Sequence, residues 1–141
     1  MLGAVYFLHC TYNQTVADLT RVSLPGFDFP LASAFRIAPE SFRRQCQDRC
    51  RYHADEVSSL VLSGFRAGVR AFDDSHITMA AFESTKIQIV HTTTATPNSA
   101  RDKQKAYGNI MANMRLLSCM HFDKRKPNHY VGDGLSRSHQ G

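Results

Sequence analysis

Apolar residues return every three or four positions along most of this chain. That spacing is the period of one face of an α-helix, and it predicts four main helices. From about Leu2 to Thr20, the positions Val5, Leu8, Tyr12, Val16 and Leu19 form the stripe with which a first helix buries one face. A second helix opens at Ala38-Pro39-Glu40, because proline is preset for the first helical position and an acid there suits the positive end of the helix dipole. Its stripe runs through Phe42, Cys46, Cys50, His53, Val57, Leu60 and Val61, and glycines from Gly64 to Gly68 offer a left-handed cap that ends it. The side-chain oxygens of Asp73, Asp74 and Ser75 cap a third helix carrying Ile77, Ala80, Ala81, Ile87 and Val90. Because Met79, Phe82 and Ile89 add apolar area on its other sides, this helix reads as the centre of the core, surrounded by protein. Threonines 92–94, Thr96 and Pro97 stop it. Ser99 with Asp102 resembles a capping box for a fourth helix, whose stripe is Ala106, Ile110, Met114 and Leu117.

The segments between and beyond these helices complete the organisation. Leu24 to Pro30 combines two prolines and a glycine with three large apolar side chains, which predicts a loop pinned to a core. After Asp123 too few apolar groups remain to offset the entropy of ordering the chain. No internal repeat and no strand-like alternation competes with the helical period. The expected fold class is therefore all-α, about four main helices packed helix on helix, with residues 1–130 forming the helical unit and 131–141 a loose C-terminal tail.

Composition narrows the class without naming a function. A chain of 141 residues, 43% hydrophobic and 21% charged, has room for one domain with a real core and is neither disordered nor membrane-like. It has no run of about 18 apolar residues, and its first ten residues lack the basic start and small-residue cleavage site of a signal peptide, so it is expected to stay inside the cell. Cys10, Cys46, Cys50 and Cys119 follow neither a zinc-pair nor a disulfide-framework spacing, and read as reduced thiols. The net charge of +5 would suit a polyanion, but the cations are spread over Arg43, Arg44, Arg49, Arg51, Arg66, Arg70 and the Lys124-Arg125-Lys126 run, so a solvated face accounts for most of them.

Candidate chemistry is sparse. Cys46-x3-Cys50-x2-His53 would bring two sulfurs and an imidazole onto one helix face, yet a structural zinc wants four ligands, and the fourth would have to come from His9, Cys10, His121 or Cys119. The same positions form the buried stripe, where cysteine behaves as a small hydrophobe, and packing is the reading preferred. Phe72-Asp73-Asp74 resembles half of a magnesium-holding aspartate motif, but the residues that follow, Ser75, His76 and Ile77, supply no further carboxylate. An N-cap explains both aspartates. With no nucleophile elbow and no glycine-rich phosphate loop, no catalytic, cofactor-binding or metal-binding residue is assigned. Lys124, Arg125 and Lys126 remain as a candidate basic patch for nuclear import or phosphate contact. The competing class is a small helical enzyme that binds a diphosphate through Asp73 and Asp74, and a third reading is a helical interaction domain of unrelated ancestry.

Several segments together resemble the regulatory region of fungal binuclear zinc-cluster transcription factors, in the part that follows the DNA-binding head. They are the first helix with Arg21-Val-Ser-Leu-Pro-Gly-Phe27, the run Phe42 to Ala54, the pair Phe72 to Ile77 and Phe82 to Ile89, and the last helix from Asn109 through Leu117 towards Tyr130. The resemblance implies a nuclear, all-helical module that regulates transcription through coregulators or a small effector, with DNA read only by a missing upstream domain and no membrane contact. The family's zinc cluster needs six closely spaced cysteines, and the four here are dispersed, so zinc is expected only in that head and no cofactor in this chain. The first half of the family's helical region is also missing, which makes the chain read as the C-terminal fragment of a larger domain. Helices without their partners leave apolar stripes uncovered, and self-association in isolation is the expected consequence.

Overall fold

The computed structural model describes residues 2–27, 30, 32–68, 75–94 and 100–123. Its helices are α1 (Leu2–Thr20), α2 (Ala32–Arg36), α3 (Glu40–Ala67), α4 (Ser75–Thr94) and α5 (Ala100–Asp123), with a 3-10 turn at Arg21–Ser23 between α1 and α2. The protein is all-α, and its four long helices pack against one another, as the periodicity predicts. Pro39 sits one position earlier than expected, at the N-cap of α3 with φ −52° and ψ 140°, and its carbonyl accepts a hydrogen bond from the Arg43 amide at 3.0 Å. Gly68 ends α3 at φ 101°, a backbone conformation that a residue with a Cβ adopts only under strain. The aspartates expected to cap α4, the Ser99 cap of α5, and residues 124–141 with the basic patch and tail lie outside the described residues.

Pairings between helices define the topology. Tyr6 meets Ser63, Asn13 meets His53 and Ala17 meets Cys50, so α1 and α3 are antiparallel. Asp55 bonds Gln88 while Ser58 bonds Ser84, which makes α3 and α4 antiparallel. Asn109 bonds Asp55 and Asn113 bonds Ser58, so α5 runs parallel to α3. The result is an up-down-up-down bundle. The central pair, α3 and α4, touches every other long helix, with α1 seated mainly on α3 and α5 mainly on α4.

Two apolar clusters fill this bundle. One joins Cys10, Val57, Val61, Ile77, Ala80, Ala81, Ala112 and Leu116; the other joins Ala17, Cys50, Ala54 and Ile87. A polar layer lies between them. The Ser84 hydroxyl donates to the Ala54 carbonyl at 2.8 Å and lies 3.1 Å from the Ser58 hydroxyl, while the Asn113 amide donates to Ser58 at 3.0 Å. Next to this layer, Asp55 accepts from Gln88 at 2.6 Å, from Asn109 at 3.0 Å and from Lys105 at 2.8 Å, tying α3, α4 and α5 together through one carboxylate. Such a layer is tolerated because its donors find acceptors, and it discriminates against helix registers that would leave them unpaired.

Three expected faces are corrected. On α1 the stripe of Val5, Leu8, Tyr12 and Leu19 points outward, with Leu8 66% and Leu19 71% exposed, and the inward face is Cys10, Asn13 and Ala17. The two sets lie roughly a third of a turn apart, and the small side chains win because they let α1 approach Cys50 and Ala54 closely while Asn13 finds a partner in His53. On α4, Met79, Phe82 and Ile89 are exposed, so that helix has one buried face and is not enclosed. On α5, the interior is Ala106, Asn109, Ala112, Asn113 and Leu116; of the predicted stripe, Met114 is exposed and Ile110 and Leu117 are half-buried. Phe42, the first residue of the predicted α3 stripe, is also exposed.

Candidate functional site

The thiol and imidazole positions singled out in the sequence are occupied by packing. Cys46 and Cys50 are buried, and the Cys50 thiol donates to the Ala17 carbonyl of α1 at 3.5 Å. Burial away from water disfavours the thiolate, so Cys50 is pushed up to about 12 and Cys10 to about 11. His53 turns towards α1, with Nδ1 2.7 Å from Asn13 Oδ1 and its ring edge-on to Tyr12 and Tyr52; desolvation holds its pKa below the usual histidine range. Among the described residues, no three His, Cys, Asp or Glu side chains converge as metal ligands. A thiol-specific disulfide reagent at about pH 8 is expected to modify native Cys119, which is half-exposed, at once. Cys10, Cys46 and Cys50 should react only as the protein unfolds; rapid labelling of all four would contradict this packing.

A larger opening lies where sequence periodicity did not look, between α3 and α5. These two helices run parallel, and facing the gap α5 presents Gly108 and Ala112, too small to fill it. The resulting groove encloses about 730 Å³. Its apolar lining is Leu62 and Phe65 from α3 and Met111 and Met114 from α5, and Met111 remains 69% exposed. A Cβ on Gly108 would meet no atom within 4 Å, so the space beside it is open.

The groove has a one-sided charge. Arg66 and Arg115 line it, and among the described residues no carboxylate does. The Arg115 guanidinium lies 4.9 Å from the Phe65 ring centroid, a cation–π contact that holds the charge at the apolar surface. Methionine suits such a surface because its unbranched, polarizable side chain repacks against differently shaped partners. Aromatic, methionine and arginine side chains are also the types enriched where proteins meet. No protein-family model, no curated protein and no solved structure matches this chain.

The basic patch Lys124, Arg125 and Lys126 and the aspartates Asp73 and Asp74 lie outside the described residues. Sequence reasoning missed the groove because it counted Met114 as core and passed over Met111. A legible signal was present nonetheless: Met111, Met114 and Arg115 flank one another at helical spacing from Gly108, a residue that a helix interior disfavours by about 1 kcal/mol relative to alanine. Among the described residues, no helix is long and apolar enough to cross a membrane.

Proposed function

We propose that this chain is a regulatory module of a transcription factor of the fungal zinc-cluster kind, working in the nucleus, and that its α3–α5 groove receives an acidic amphipathic helix of a coregulator. The observation that carries the contact is the groove, an apolar floor of Leu62, Phe65, Met111 and Met114 beside two arginines and, among the described residues, no acid. A helix docks in such a groove through apolar anchors spaced i, i+3, i+4 and i+7, and carboxylates flanking those anchors meet Arg66 and Arg115. The transcriptional setting comes from the sequence resemblance. Reading DNA, and the zinc it requires, belongs to a head outside this chain, and the chain itself carries out no catalysis. The alternative of a diphosphate-binding enzyme depends on Asp73 and Asp74, which lie outside the described residues, and no described feature favours it.

The test is fluorescence anisotropy with a labelled helical peptide bearing leucine and phenylalanine anchors flanked by glutamates. Binding is expected to weaken with salt and to fall at least about tenfold in Met111→Asp and in Gly108→Phe, which fills the groove. Equal binding of a peptide with lysine in place of glutamate, or binding indifferent to both substitutions, would end the groove assignment. Fused to an unrelated DNA-binding domain, the chain should change reporter transcription, and Met111→Asp should abolish the change. Peptide binding with no effect on the reporter would point to an interaction domain of different ancestry.

Gly108→Ala gives a separate expected result. With open space around the new methyl group, the substitution should stabilise the free protein by about 0.5–1 kcal/mol, measured by urea unfolding. A destabilisation would mean that α5 needs glycine for its own conformation rather than for the room it leaves.

A further inference from the structure

We propose that the cavity enclosed by the Val22–Phe27 turn, α2 and the start of α3 binds a small organic anion with an apolar body. The cavity holds about 390 Å³, within the range of small-ligand pockets. It lies at the N-terminal end of α3, roughly 30 Å along that helix from the groove, and its assignment is independent of the partner reading.

Its walls are built rather than incidental. Gln47 of α3 donates to the Ser23 carbonyl at 2.9 Å and fastens the turn, and Gly26 takes φ 85° to close it. Val22, Leu24, Phe27 and Phe35 provide the apolar surface, and Phe35 is fixed by stacking on Phe42 at 6.0 Å between centroids. Arg36 and Arg43 supply the charge.

What points to an anion is the state of these two arginines. Several other cations are paired: Arg21 with Glu83 at 2.6 Å, Arg44 with Glu40 at 2.7 Å and Lys105 with Asp55 at 2.8 Å. Neither Arg36 nor Arg43 forms an ion pair among the described residues, and the Nε of Arg43 is buried without a hydrogen-bond partner. A buried guanidinium donor without an acceptor is unfavourable, and an oxyanion removes that cost. Nε and the adjacent Nη present two parallel donors that match two oxygens of a carboxylate or phosphate. Beyond the head group, the remaining volume lies against Leu24 and Phe35 and fits a ring or a short chain better than a bare ion.

Isothermal titration of the full chain with benzoate and with phenyl phosphate tests the site, with benzyl alcohol and inorganic phosphate as comparisons. Both organic anions are expected to bind saturably below about 10 mM and to raise the melting temperature. Arg43→Met, which keeps the apolar stem, should weaken them at least about tenfold, and Arg43→Lys nearly as much because a lysine lacks the fork. Arg36→Met serves as a second variant on an exposed side chain that folding does not require, and it should also weaken binding. Arg44→Met, outside the cavity, should leave binding unchanged. Equal affinity for the alcohol, equal affinity for bare phosphate, no saturation by either anion, or binding indifferent to Arg43 and Arg36 each overturns the proposal. Asp28→Asn separates a ligand from a carboxylate of the chain itself: unchanged binding supports the site, whereas binding that emerges only in this variant assigns the cavity to Asp28 and overturns it.

Discussion

Leu116→Ala is expected to lower the free energy of unfolding by about 3 kcal/mol, within the range of about 2–5 kcal/mol for buried leucines, whereas Met114→Ala two residues away should lower it by less than about 1 kcal/mol. Leu116 is fully buried in the cluster with Val57, Val61, Ile77 and Ala112, so truncation removes transfer free energy and leaves a void that four packed helices cannot collapse around. Met114 is 48% exposed at the groove and loses little. Urea unfolding of both variants decides the register of α5. Periodicity places Met114 and Leu117 inside; the tertiary structure places Asn113 and Leu116 there. A larger loss from Met114→Ala than from Leu116→Ala would mean that the helix is rotated from the orientation described here.

Asp55→Ala should cost about 3 kcal/mol as well and lower the melting temperature by roughly 10 °C. Its side chain is only 14% exposed and accepts hydrogen bonds from Gln88 and Asn109, both buried, and from Lys105, whose side chain is 58% exposed. Removing the carboxylate leaves the two buried amides without an acceptor, while the lysine simply returns to water. The loss should therefore follow the amides. Asp55→Asn, which keeps one oxygen, should cost less than Asp55→Ala, and Lys105→Ala should cost less than about 1 kcal/mol because an exposed pair contributes little. If Lys105→Ala proved as costly as Asp55→Ala, charge pairing and not the buried amides would be holding α3, α4 and α5 together.

The first prediction turns on a leucine that lies off the periodic stripe, the second on polar residues that periodicity reads as surface. The helices themselves were legible: the span of α1, the proline that opens α3, the glycine that closes it and the start of α4 at Ser75 all follow from local rules of backbone donors, caps and permitted φ. Faces were less legible. On α1 a pattern of large apolar side chains indicated Val5, Leu8, Tyr12 and Leu19, yet close approach to α3 is possible only on the side of Cys10, Asn13 and Ala17. A hydrophobicity count has no term for the distance between helix axes. The candidate groove was less legible still, because a gap is a property of two helices and what they leave unfilled.

From its sequence alone, this protein is determined to be all-α, with the positions of its long helices and their ends, since those depend on residues a few places apart. Only the tertiary structure decided which face of each helix is buried, that Asp55, Ser58, Ser84, Asn109 and Asn113 form interior layers, and that Arg66 with Arg115 and Arg36 with Arg43 stand beside open space. The physical reason is that burial and hydrogen-bond satisfaction are settled between elements distant in the chain, and a stripe that is apolar in sequence is buried only where another helix comes close enough to cover it.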